Sequence, residues 1–493
     1  MRTSLFLLVV LLNLASGIDV IIESLRQLID KNTDPCDNFY RHTCPLGSPE
    51  MLWYKLLDIK PAEKGVWDNL QITKGNSNFS ELPEQLSKLY LNMCENGLST
   101  GVFFDRVKDV FQPKEVDECD DAYCLSHLQY DPDCNRVSKF IKSIFADQLN
   151  GTALVLYDKF VSSIDLDIYA ISSISQHLDL KLEDGIEETN DILNGLKTLA
   201  ADMILETPWA INNNATDVVL AALEATVLKK DYAKILKDTM DRTFEHELKY
   251  RKCKKDYNHD KNANLLCFLF VARHADIKLN SPFFENILNA GNTFPNLNFG
   301  MPFYMIAKNA EVRAAKLGML GWTVGHELSH TLIQSRNDFV LPYFSENAIQ
   351  CIQNQFNSTC NEFKEISCTT DDVQIDDNGA DMLGFQLAYK LFKNEYGDRT
   401  FETYEPLNVT YQQLFFYSSV VFHCEGVQSE SFINDEGILD DHATRNVRIN
   451  VLVNHPAFQE AFECPDDSRM MKSATEQCII YGQGAPENKR KRH

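Results

Sequence analysis

Apolar side chains recur at helical spacing over much of residues 80–243. The segments 189–203 (TNDILNGLKTLAADM) and 217–236 each repeat them with few breakers, and this predicts helices. A cysteine-rich patch at 119–134 interrupts the pattern and reads as a clipped loop. Residues 281–303 are rich in Asn, Pro, Phe and Gly, which predicts strands and turns. The helical period returns over 310–333, where Leu317, Leu320, Val324, Leu328 and Leu332 form one stripe. The acidic connector 360–372 reads as a loop, and 377–392 as helix again. The basic tail 488–493 (NKRKRH) is expected to fray. There is no internal repeat and no low-complexity tract.

Four further features change that picture. At the N-terminus, Arg2 precedes an apolar run from Leu5 to Leu14 and then Ala15-Ser16-Gly17. A basic start, a short apolar run and small residues form a secretory signal, expected over 1–17. Export to the extracellular space follows, with no stable membrane anchor, since no other segment is apolar for long enough to cross a bilayer. The 14 cysteines all lie beyond that signal, which reads as a disulfide framework of an exported protein. Cys360 and Cys368 flank the acidic connector and are expected to close it. Five N-x-[ST] sequons, at Asn78, Asn150, Asn214, Asn357 and Asn408, are candidate surface glycosylation positions. The net charge of −24 argues against nucleic acid as a partner.

The chemistry concentrates in GHELSHTLI, residues 325–333. His326 and His330 stand at i and i+4, so one helix face presents both to a single metal ion. Two ordinary core histidines beside a chance glutamate would explain the same letters. A buried helix has no packing reason, however, to place two histidines and a carboxylate on adjacent turns. In this pattern Glu327 is not a ligand; it holds the attacking water and takes its proton. A third ligand is needed, and Asp377-Asn378-Gly379-Ala380-Asp381 is the candidate segment. Its two aspartates share a face, so one can bind metal while the other accepts a hydrogen bond from a ligand histidine. An acidic helix start stabilised by the helix dipole is the plainer explanation, and it suits Asp371, Asp372 and Asp376 better than Asp381.

Taken in order, these segments resemble the neprilysin family of zinc endopeptidases. The likeness begins at DPCDNFYRHTC (from Asp34) and continues through Asn289-Ala290 and the zinc helix. It then takes in FSENAIQCIQNQFN around Cys351, Asp377 to Asp381, Asp440-Asp441-His442 with Arg448, and finally Cys464 and Cys478. It is nearly continuous from residue 289 to 481 and weak between 48 and 280. The resemblance implies a predominantly α (α+β), two-lobed zincin-type metallopeptidase, with a helical lid lobe and a catalytic lobe that carries a small β-sheet. The corresponding divisions are an N-terminal segment at 18–75, a reduced lid at 76–270 and a catalytic lobe at 271–493.

It also implies roles for the matching residues. His326, His330 and Asp377 would hold one Zn2+ per chain, with Glu327 as general base and Asp381 orienting a histidine. His442 would stabilise the oxyanion and Arg448 would grip a substrate carbonyl or carboxylate. Asn289 and Ala290 would bind the peptide main chain. The implied disulfides are Cys36–Cys464, Cys44–Cys424, Cys94–Cys253 and Cys351–Cys478, which leaves Cys119, Cys124, Cys134 and Cys267 unassigned.

Three departures stand out. The family's third ligand is Glu where this chain has Asp377, one methylene shorter. Thr331-Leu332-Ile333 replaces Gly-Phe-Asp, and Leu383-Gly384 replaces a glycine pair. The shortened lid predicts a more open cleft. The expected activity is secreted, zinc-dependent endopeptidase cleavage of oligopeptides. A secreted pseudopeptidase that binds peptides or a partner protein without cutting is the alternative, motivated by Asp377. A disulfide-rich structural glycoprotein would account for the cysteines but not for the metal-binding pattern.

Overall fold

Helix α1 (Val20–Leu28) starts at Asp19, whose Oδ1 accepts the Ile21 and Ile22 N–H groups. Its other oxygen accepts the N–H groups of Glu311 and Val312, 2.8 and 2.9 Å away, just ahead of the GHELSHTLI helix. One buried carboxylate thus caps a helix and ties the start of the described chain to the lead into the GHELSHTLI helix. These features come from a computed structural model, which describes residues 19–45, 82–96, 133–148, 182–229, 252–253, 255–256, 289–333, 346–363, 374–424 and 442–486. The expected signal 1–17, Cys119, Cys124, Cys267, Cys368, Asn78, Asn150 and the tail 488–493 lie outside the described residues.

The chain divides into two units, one made of Met1–Leu56, Leu180–Lys230 and Leu288–His493, the other of Leu57–Asp179 and Asp231–Ile287. In the first unit, the short helix α2 (Phe39–Thr43) follows α1. Two disulfides, Cys36–Cys464 and Cys44–Cys424, bind this segment to the C-terminal part, as the resemblance implied.

In the second unit, α3 (Leu82–Glu95) and α4 (Cys134–Gln148) pack antiparallel, with Ser87 and Ser138 hydroxyls 2.7 Å apart. Here the structure corrects an expected pairing: Cys94 bonds to Cys134, not Cys253. Cys94 stands on the last turn of α3 and Cys134 opens α4, which brings their Cα atoms to 5.8 Å. Linear order hid this, because the pairing depends on how two helices dock. Cys253 and Cys360 are also disulfide-bonded, and no described cysteine is free.

The first unit resumes with α5 (Glu183–Leu205) and α6 (Thr216–Ala225). These helices lie within the span expected to form a lid, yet they belong to the same unit as residues 288–493. Helical period identifies a half-buried helix but not its partner. The expected helix at 217–236 ends at Ala225 and passes into β1 (Val227–Leu228). β2 (Ala290–Thr293) and β3 (Asn296–Phe299) follow, in the order β1–β3–β2. β1 runs parallel to β3, and β2 antiparallel with Ala290 opposite Phe299. Then come α7 (Met301–Asn309) and a continuous helical run from Arg313. A π-turn at Leu317–Gly321 leads into α8 (Trp322–Ile333), which carries GHELSHTLI. The helical lead from 310 therefore begins three residues later than the apolar stripe predicted.

Helix α9 (Glu346–Glu362) holds Cys351, bonded to Cys478 as expected, and extends past Cys360 into the connector read as a loop. The long α10 (Ile375–Tyr396), α11 (Tyr411–Val421) and α12 (Arg445–Asn450) complete the elements around the site. The architecture is predominantly helical with a small sheet, as predicted. No described helix is long and apolar enough to cross a membrane.

One partly buried histidine beside this core makes a testable point. His455 packs against Tyr389 and Phe385, and its Nδ1 accepts the Ala457 N–H. Burial pushes its ring down from 6.5 to about 4. Between those values the unfolded chain takes up a proton that the folded chain refuses. Stability is therefore retained above pH 6.5 and lost as pH falls toward 4, by roughly 3 kcal/mol in total. His455→Asn keeps a capping side chain and should flatten this part of the slope, which denaturant unfolding at pH 7 and pH 4.5 measures.

Candidate metal centre

Helix α8 presents His326 and His330 from adjacent turns, their rings perpendicular and their Nε2 atoms 3.1 Å apart. Asp377, on the first turn of α10, brings Oδ1 to 3.7 Å from His326 Nε2 and 3.5 Å from His330 Nε2. Donors held at about 2.0–2.1 Å by a tetrahedral zinc ion lie roughly 3.3–3.4 Å from one another. The three edges match that triangle, so two imidazoles and a carboxylate fit a zinc ion. Burial pushes both rings down to about 4, which keeps them in the neutral, ligating form at physiological pH.

The approach of the two helices rests on glycine. A Cβ at Gly384 would lie 2.4 Å from the His326 nitrogen, and one at Gly325 would lie 2.6 Å from the Gly384 carbonyl oxygen. Of the positions where the resemblance shows a glycine pair, the one retained here is where the backbones meet. Close contact at Gly384 sets how near α10, which carries Asp377, comes to the backbone of α8.

Asp381, one turn beyond Asp377, is almost fully buried. Its Oδ1 lies 2.9 Å from His326 Nδ1, out of line for an ordinary hydrogen bond. Arg448 closes on the same carboxylate with Nε to Oδ2 at 2.7 Å and Nη2 to Oδ1 at 2.6 Å. The Trp322 indole N–H donates to the Asp381 carbonyl at 2.9 Å. Burial alone would raise the Asp381 carboxyl, but Arg448 and His326 more than offset it and hold it far below the usual carboxylate range. Arg448, implied as a substrate anchor, thus spends its planar fork on Asp381. Asp381→Asn should lower zinc affinity about 10–100-fold, the usual loss for an outer-shell partner, as read by competition titration.

Glu327 is buried beside this group, and burial together with the Asp377 carboxylate raises its carboxyl to about 8. A bound divalent cation would favour the ionised form instead. His442 is half exposed, with Nε2 3.1 Å from Asp377 Oδ1. His326, Glu327 and His330, and likewise His326, Asp377 and His442, bring donor atoms within 4.8 Å of one another. Asn289 and Ala290 stand at the head of β2, where the Asn289 carbonyl accepts the Gly300 N–H.

Other contacts had no sequence signal. Asn292 of β2 donates to the Glu327 carbonyl at 2.6 Å and to the Thr331 hydroxyl at 2.9 Å. The Thr226 hydroxyl also donates to Thr331, at 3.2 Å. Thr331, one of the departures from the family pattern, therefore joins the sheet to α8. Gln374, at the head of α10, donates to the His442 carbonyl at 2.9 Å.

Residues 292–478 match the profile of peptidase family M13. Over 184 residues the chain is 26% identical to neprilysin-1 of Caenorhabditis elegans, covering 34% of this chain and 24% of that protein. Over 172 residues it is 28% identical to membrane metallo-endopeptidase-like 1 of Mus musculus, covering 32% and 22%. The chain thus matches about a quarter of the length of these relatives. Among solved structures it is similar to the Haemonchus galactose containing glycoprotein complex, at a TM-score of 0.46 and 14% identity over 93% of this chain and 98% of that one. The donor triangle, Glu327, Asp381, His442 and Arg448 all fall within residues 292–478, the segment of this chain that is similar to the neprilysin-like peptidases of family M13.

Proposed function

We propose that this chain is a secreted zinc endopeptidase that hydrolyses oligopeptides, with Asp377 as its third metal ligand. The observation that carries the proposal is the triangle of His326 Nε2, His330 Nε2 and Asp377 Oδ1, with edges of 3.1, 3.7 and 3.5 Å, beside the buried Glu327. When bound, zinc would polarise the peptide carbonyl and make water a nucleophile at neutral pH. Glu327 takes a proton from the attacking water and passes it toward the leaving amine. His442 donates to the substrate oxygen as it gains negative charge.

An extended peptide would lie along β2, an edge strand among those described, adding main-chain hydrogen bonds at Asn289 and Ala290. Asn292 holds that strand to the Glu327 carbonyl, which keeps the peptide in register with the base. Arg448 places Nε and Nη2 on Asp381, so its first contribution to the site is to hold that carboxylate. Disulfides at Cys36–Cys464, Cys44–Cys424 and Cys351–Cys478 suit an oxidising, extracellular setting.

The test is metal content and cleavage together. Protein expressed through the secretory route should carry one zinc per chain and cleave members of a peptide library. Chelation should abolish cleavage, and added zinc should restore it. One zinc with no cleavage would favour a peptide-binding pseudopeptidase. No zinc would defeat both.

A further inference from the structure

Residue 442 is gripped at two points from one end of α10. Its carbonyl accepts the Gln374 Nε2 hydrogen at 2.9 Å, and its ring Nε2 lies 3.1 Å from Asp377 Oδ1. Gln374 and Asp377 are three residues apart, so they project on the same side of the helix start. Gln374 is 4% exposed, whereas the His442 side chain is 45% exposed. The backbone is therefore held by a buried amide while the imidazole stands at the open edge of the site. Beyond His442 a second tie secures the same stretch: the Thr444 hydroxyl donates to Asn446 Oδ1, and the Asn446 amide donates to the Phe363 carbonyl, each at 2.8 Å.

We propose that Gln374 is a positioning residue that sets where His442 meets the developing oxyanion, an inference that rests on the peptidase reading above. A donor stabilises such a charge only when it sits about 2.7–3.1 Å from where the charge forms. With the carbonyl of residue 442 released, the ring keeps the Asp377 contact and the tie beyond Thr444 but loses the backbone anchor nearest to it, and that distance is no longer assured. The amide suits this task because it donates to a carbonyl without adding charge beside Asp377. A glutamate of the same shape would set a carboxylate against that carbonyl.

The test uses zinc-loaded, full-chain protein with Gln374→Met and Gln374→Glu, measured well below the unfolding midpoint. The Glu variant keeps the side-chain shape, so it remains informative if the Met variant folds poorly. Each is combined with His442→Ala. Two peptide-like zinc ligands serve as probes by calorimetry: a phosphoramidate, whose phosphoryl oxygens mimic the oxyanion, and a thiol, which has none. Each Gln374 variant should bind the phosphoramidate about tenfold more weakly, with thiol affinity and zinc content unchanged. kcat should fall by a similar factor at constant KM. In the His442→Ala background the Gln374 change should have no further effect.

Equal loss for both probes, loss of zinc, or effects that add to His442→Ala would overturn the proposal and assign Gln374 to general support of α10. If the wild type binds both probes but cleaves nothing, the peptidase reading fails. The phosphoramidate-to-thiol ratio and the double-variant comparison still decide the role of Gln374.

Discussion

Glu327→Gln should reduce peptide hydrolysis by about 10³-fold, within the 10²–10⁴ range of a positioned general base. Glutamine preserves the shape of this buried side chain and can still hold a water, but it cannot take a proton. Zinc content should stay at one per chain, because Glu327 lies outside the His326–His330–Asp377 triangle. The loss should appear in kcat, with KM nearly unchanged, because the side chain acts in the transition state rather than in binding peptide. Steady-state kinetics on a peptide cleaved by the wild type, with metal analysis on the same sample, checks both parts. Activity that survives the substitution would remove Glu327 from the mechanism and point to a contaminant or another base.

The largest structural effect should come from Gly384→Ala. The new methyl would sit 2.4 Å from the His326 nitrogen and 2.7 Å from the Gly325 carbonyl carbon, both backbone atoms of α8. No side-chain rotation relieves that contact, so α8 and α10 must separate. Overpacking of this kind costs about 1–3 kcal/mol, and more where only backbone can yield. The site magnifies the effect. Asp377 and Asp381 ride on α10, and the histidines on α8, so separation lengthens two edges of the donor triangle and the Asp381–His326 contact together. Zinc affinity should fall at least about tenfold, beyond the loss for an outer-shell variant that leaves the helices in place. Thermal unfolding and zinc competition together check this. A variant with unchanged zinc affinity would show that the helices have slack, and that Asp377 does not depend on this crossing.

The departures from the family pattern take on meaning only at this level. Asp377 is one methylene shorter than glutamate, yet its Oδ1 lies 3.7 and 3.5 Å from the Nε2 atoms of His326 and His330. Thr331 stands in place of glycine, and its hydroxyl receives the Asn292 amide from the edge strand. Arg448 was legible as a site residue but not its partner, because its fork binds a carboxylate 67 residues earlier in the chain. The Cys94 pairing went astray for a similar reason: α3 and α4 dock to bring Cys134 to Cys94, and nothing in linear order signals that docking.

By itself the sequence determined the helical identity of residues 322–333, the placing of His326 and His330 on one face with Glu327 between them, and the acidic start of α10. Those are local properties: spacing of 3.6 residues per turn places side chains on a face whatever surrounds the helix. Only the tertiary structure decided which carboxylate lies beside the Nε2 atoms of both histidines, which one lies beside His326 Nδ1, and which buried amide holds the carbonyl of His442. These depend on distances between elements far apart in the chain. Such distances follow from where α8 and α10 can approach, at Gly325 and Gly384, and from which loops are tied to the head of α10.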